Sequence, residues 1–238
     1  MNIDKRHKMM RIDYQFRRFD DLARQIVRNH STHPAQRSAW GYAWDYRLGL
    51  HYPVISIAIQ GTPDMLIALG GLPGTGKTTV AQTLARKLAA VYLRIDTLEQ
   101  AFIRSGSGQA DIGPGGYLAG YAVAADNLRL GLTVVADSVN ALQVTRSAWR
   151  NVALEAGVPL FEVELICSDT TKHRLRVEAR EADIPGHQLP TWKSVLERQF
   201  DPWNSQHLLI DTANVSVEHA VETIIRSLSV SPPDTRAS

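Results

Sequence analysis

Residues 70–79 read GGLPGTGKTT, and the run from Gly71 to Thr78 fits G-x-x-x-x-G-K-[ST] at every fixed position. Glycines at this spacing let the backbone curl so that successive N–H groups point inward at phosphate oxygens. A helix starting near Lys77 would add the positive end of its dipole. The Lys77 ammonium can reach β and γ phosphates, and the Thr78 hydroxyl suits Mg²⁺. Gly71, Pro73, Gly74, Thr75, Gly76, Lys77, Thr78 and Thr79 are therefore the expected nucleotide-binding residues, with ATP or GTP and Mg²⁺ as the ligands.

A second acid is needed on a neighbouring strand to hold the metal through water. Asp137, which ends the apolar run LTVVAD, fits that place. An Asp after a strand can also simply cap the next helix. A hydrolytic motor would usually carry a glutamate beside the metal acid, but Ser138 stands there. No N-K-x-D base-reading motif of a GTPase occurs in the chain. Phosphoryl transfer is the use of the triphosphate that remains.

The elements that must position these residues alternate from Met65 onward. Apolar runs at MLIALG, VYLRID, LTVVAD, LFEVELIC and HLLID read as five strands. Helical patterns separate or follow them at KTTVAQTLARKLAA, TLEQAFIRSG, YLAGYAVAADNLRLG, RSAWRNVALEAG, TTKHRLRVEAREAD, TWKSVLERQF and SVEHAVETIIRSL. Strands separated by helices predict an α/β fold with a five-stranded parallel sheet covered on both faces. GSGQADIGPGG is too long for a plain turn.

The 238 residues carry 26 Lys and Arg, 24 Asp and Glu, and a formal charge of +2. This near balance gives no electrostatic case for nucleic acid or an anionic membrane. One cysteine, no run long enough to span a bilayer and no signal-peptide layout make a cytoplasmic protein the expectation. Charge is uneven: residues 1–64 hold 10 basic against 6 acidic side chains, the remainder 16 against 18. Residues 1–64 form an N-terminal extension, with a partial apolar stripe between Met10 and Asn29. Met65 could equally open a chain of this kind. Residues 65–230 form the catalytic domain and 231–238 a polar tail.

The stretches GLPGTGKTTVAQTLA, RIDTLEQAF, GLTVVADSVNALQVTRSAWR, FEVELICSDTTKHRLRVEAR and HLLIDTA carry a resemblance. From Met65 to about Leu228 the chain resembles small P-loop kinases of the adenylylsulfate kinase, gluconate kinase and chloramphenicol phosphotransferase type. More specifically, it resembles the AAA-family predicted small kinases. The resemblance implies a three-layer, nucleoside-kinase-like P-loop NTPase that uses ATP and Mg²⁺. It places Asp96 where such kinases keep the acid that meets the acceptor hydroxyl, although an Asp there also suits a helix start. It places the helix after Cys167 at the mobile lid. On that helix Arg176 and Arg180 are i and i+4 and share a face with His173, while Arg174 can pair with Glu178. Arg176 and Arg180 are the candidates for transition-state charge, with Arg174 in reserve.

The acceptor pocket is expected between Asp96, the GSGQADIGPGGY loop (106–117) and the helix carrying Tyr117 and Tyr121. Arg104 is a candidate for an anionic acceptor, and Asp211 and Thr212 lie beside the expected adenine position. The expected activity is a kinase acting on a small-molecule hydroxyl, as a monomer or homodimer. Two rivals remain: a nucleic-acid end kinase using the basic N-terminal segment, and a non-enzymatic ATP-binding switch.

Overall fold

A computed structural model of the chain describes residues 64–105 and 113–230. The expected N-terminal helix, the tail and most of the glycine-rich loop lie outside the described residues. Five strands form where the apolar runs predict them: β1 (Leu66–Gly70), β2 (Val91–Arg94), β3 (Val134–Asp137), β4 (Leu160–Ile166) and β5 (Leu208–Asp211). All pairings are parallel, in the order β2-β3-β1-β4-β5. β1 is central and every one of its residues is buried, as a strand covered on both faces requires.

Seven described helices cover the sheet: α1 (Lys77–Leu88), α2 (Ile95–Arg104), α3 (Gly115–Arg129), α4 (Gln143–Ala156), α5 (Thr170–Glu178), α6 (Trp192–Leu196) and α7 (Val217–Val230). On one face Ile67, Leu69 and Val135 pack with Leu84 of α1 and Val221 and Ile224 of α7. On the other, Leu66, Ala68 and Val134 pack with Ile95, Ala124 and Trp149 of α2, α3 and α4. Alternate side chains of one strand thus feed two cores, which gives the expected three layers.

Two boundaries differ from the sequence expectation. β2 stops at Arg94, and Asp96 lies in the first turn of α2 rather than at a strand end. Helix α5 stops at Glu178, with Ala179 at its C-terminal boundary, instead of running on to Asp183. Arg180 is therefore off the helix, and the i, i+4 argument does not set its direction. The helix starts earlier than expected at the first boundary and stops earlier at the second.

Trp149 is the largest fully buried side chain and meets the Tyr121 ring edge-on at 4.4 Å. Tyr121 donates its hydroxyl to Thr145 O at 3.1 Å, tying α3 to α4. Trp149→Ala should cost about 3 kcal/mol or more of unfolding free energy. Chemical denaturation checks this, and a loss below about 1 kcal/mol would contradict the packing.

Candidate active site

The phosphate loop leaves the C-terminal end of β1 and enters α1. Gly71, Gly74 and Gly76 have φ of 137°, 85° and 88°, in the left-handed region. Gly74 has a second reason to lack a side chain. A Cβ there would lie 2.5 Å from Val177 and 3.2 Å from His173, so α5 packs directly on the loop. His173 is buried, and its Nε2 lies 2.8 Å from Pro73 O, where an N–H donates to the carbonyl. The Thr75 hydroxyl donates to Leu72 O at 2.9 Å, which closes the turn.

Lys77 is buried, and its ammonium donates to Leu72 O at 2.8 Å. Burial lowers its pKa to about 8; the nearby carboxylates of Asp137 and Asp96 oppose that shift, while Arg180 and Arg198 add to it. A buried ammonium at the base of this glycine-rich loop fits a phosphate chain. No group of three or more potential ligands for a metal occurs among the described residues.

Asp137 ends β3, where Arg94 of β2 and Leu69 of β1 are its register partners. Its carboxylate is buried and accepts the Tyr92 hydroxyl at 2.8 Å. Burial and Asp137 push the Tyr92 pKa well up, so this phenol stays a donor. Arg94 stands 3.9 Å from Asp137 and 3.7 Å from Asp96. Its main bond is a fork onto Asp183, with Nη2 to Oδ1 at 3.1 Å. Sequence reasoning missed Arg94 as a site residue. The signal was a lone cation ending an apolar strand two residues before Asp96.

Two cavities flank the loop. The first, about 470 Å³, runs past Gly74, Thr79, Arg176 and Thr212 to Val215 and Val217. The second, about 360 Å³, is bounded by Asp96, Glu99, Tyr117, Asp137, Ser138 and Arg198 among others. Lys77, Thr78 and Arg180 belong to both walls. Arg176 is committed to the first: it donates to Thr212 Oγ1 at 2.9 Å and to Thr212 O at 3.0 Å. Of Arg176 and Arg180, only Arg180 also lines the second cavity.

The other expected residues sort as follows. Arg174 forms the surface pair with Glu178, at 2.9 Å. Asp211 accepts from Ser168 N and Ala213 N, which orders the loop beside Thr212. Tyr117 lines the second cavity and accepts from Asn140 N at 3.1 Å, whereas Tyr121 serves the core. Arg104 is exposed at the end of α2 and lines neither cavity. Glu99, one helical turn beyond Asp96, was missed although its i, i+3 spacing placed it on the same face.

Burial, helped by Asp96 and opposed by Arg198, raises the Glu99 pKa to about 7 from the ordinary 4.5. Between these values the folded protein holds a proton that the unfolded chain has lost. Stability therefore falls as pH rises through that window and is level above it. Glu99→Gln removes this loss, so its Tm gain over wild type should be larger at pH 8 than at pH 4. Equal differences at the two pH values in thermal melts would contradict it.

Residues 66–199 match the AAA domain family, over half of the chain. A curated relative, the probable adenylyl-sulfate kinase of Aeropyrum pernix, is 27% identical over 168 residues, covering 66% of this chain and 88% of that protein. A gluconokinase from Sinorhizobium meliloti 1021 superposes with a TM-score of 0.51 at 20% identity, over 71% of this chain and 93% of its own. Chaetomium thermophilum Kti12, solved in complex with ADP-AlF3, gives 0.51 at 20% identity over 68% and 98%. The chain belongs to the AAA domain family and is built as a small P-loop kinase.

Proposed function

We propose that this protein is an ATP- and Mg²⁺-dependent kinase that transfers the γ-phosphoryl group to a hydroxyl of a small molecule. The observation that carries the reading is the pair of cavities whose shared wall is Lys77, Thr78 and Arg180. A donor in the first cavity would present its terminal phosphate at that wall, and an acceptor in the second would face it. The second cavity, at about 360 Å³, has the size of a metabolite site.

Lys77 and the loop N–H groups hold the phosphates, and Arg180 meets charge on the transferring group. Thr78 and, through water, Asp137 would hold Mg²⁺, which supplies further neutralisation of phosphate charge. Asp96 is 30% exposed toward the acceptor side and orients the hydroxyl, taking its proton as the new O–P bond forms. Arg94 holds Asp183 of the lid segment beside these acids, so that closure and acid placement are coupled.

A panel of hydroxyl-bearing metabolites, scored by acceptor-dependent ADP release with Lys77→Ala as the blank, identifies the acceptor. On that acceptor Asp96→Asn should lower kcat by about 10²-fold or more while ATP affinity is retained. Wild-type turnover by Asp96→Asn would overturn the assignment of Asp96.

A further inference from the structure

On the kinase reading two of the cations at the second cavity, Lys77 and Arg180, would face the donor phosphates, and Asp137 the metal. What remains for an acceptor is Asp96, Glu99 and, at the rim, the exposed Arg198. Among the described residues that line it, the acceptor half therefore sets two carboxylates against one arginine, with Arg94 behind the wall, 3.7 Å from Asp96 and forked onto Asp183. A bound donor would add phosphate charge on the neighbouring wall.

Glu99 is not a surface acid that happens to be near. Its side chain lies across α3 at Gly116, where a Cβ would come within 2.3 Å of Glu99 Cγ and 3.1 Å of Oε1. The missing side chain of a buried helical glycine is what admits this carboxylate between α2 and α3. Burying a carboxylate beside Asp96 has a solvation cost that the rim arginine Arg198 offsets only in part. Two further polar atoms of the same wall, Ser138 Oγ and His187 Nδ1, are buried without a hydrogen-bond partner of normal geometry. The serine hydroxyl does interact with the Tyr117 hydroxyl, so of the two it is His187 Nδ1 that lacks any partner among the described residues. Ser138 is 4% exposed. Unmet hydrogen-bonding capacity beside a carboxylate with no ion pair among the described residues is the pattern of a site whose missing partner is the ligand.

We propose that Glu99, seated over Gly116, is the specificity residue of the acceptor cavity and selects a hydroxyl compound that carries an ammonium group. This rests on the kinase reading above and adds to it the charge class of the acceptor. Asp96 and Glu99 divide the work: one meets the hydroxyl that is phosphorylated, the other pairs with the cation one helical turn away. An anionic acceptor would instead meet both carboxylates and the donor phosphates together.

Glucosamine, glucose and gluconate test this, because they share a six-carbon polyhydroxyl frame and differ in charge. Their binding is measured by ligand-observed NMR on the full chain with a non-hydrolysable ATP analogue and Mg²⁺, and phosphoryl transfer is measured separately with ATP. Glucosamine should bind at least about tenfold more tightly than glucose, and gluconate should bind more weakly than both. Glu99→Gln should erase that order without altering binding of the ATP analogue. Gly116→Ala, which displaces Glu99 but keeps its charge, should also weaken glucosamine. Equal binding of the three, no binding of any, preference for gluconate, or an order unchanged in Glu99→Gln would each overturn the proposal. Glucosamine preference without transfer to any acceptor in the metabolite panel would count against the kinase reading and leave the ammonium subsite standing. Transfer to gluconate but not glucosamine would do the reverse.

Discussion

Parallel pairing fixes where three strands end. With β2, β3 and β1 adjacent and in register, Arg94, Asp137 and Leu69 stand side by side at the same edge of the sheet. Everything chemical in the molecule hangs on that edge. The phosphate loop begins after Gly70, one residue beyond Leu69, Asp137 ends β3, and α2 with Asp96 and Glu99 begins immediately after Arg94. A one-residue slip of register would turn Asp137 to the other face of the sheet and separate it from Tyr92 and Lys77.

The charges gathered at this edge constrain each other. Lys77 loses hydration and regains part of it from Leu72 O and the fields of Asp137 and Asp96. Arg94 lies among Asp96, Asp137 and Asp183, and with its five donors it can serve more than one carboxylate. Because Asp183 belongs to the segment after α5, the same guanidinium ties that segment to the sheet. Behind the site a second buried arginine does similar work on backbone. Arg146 donates to Asn140 O, Ala141 O, Asp201 O and Pro202 O and stacks 4.7 Å from Trp203. It thereby holds the loop that follows Asp137 in place.

The phosphate loop and the sheet were legible in the sequence because their signals are local. Glycine spacing reports a backbone curl, and an apolar run of four to seven residues between turns reports a buried strand. Asp137 was legible for the same reason, as the residue ending such a run. The Arg94–Asp183 contact was not, since its partners lie 89 positions apart and neither sits in a motif. That contact, with Arg180 to Asp183 at 3.7 Å, also accounts for the misread end of α5. Charged residues continued the helical spacing to Asp183, but pairing across the site drew the chain away from the helix after Glu178. Glu99 was readable from its spacing to Asp96, yet its burial depends on a glycine in another helix.

The central claim is that the two cavities exchange a phosphoryl group across Lys77, Thr78 and Arg180. The most direct measurement follows the label of [γ-³²P]ATP in a single turnover with an acceptor from the panel. The account predicts that the label appears in an acceptor phosphomonoester, and that Lys77→Ala abolishes its transfer. Label recovered only as inorganic phosphate at the same rate with and without acceptor would contradict the account.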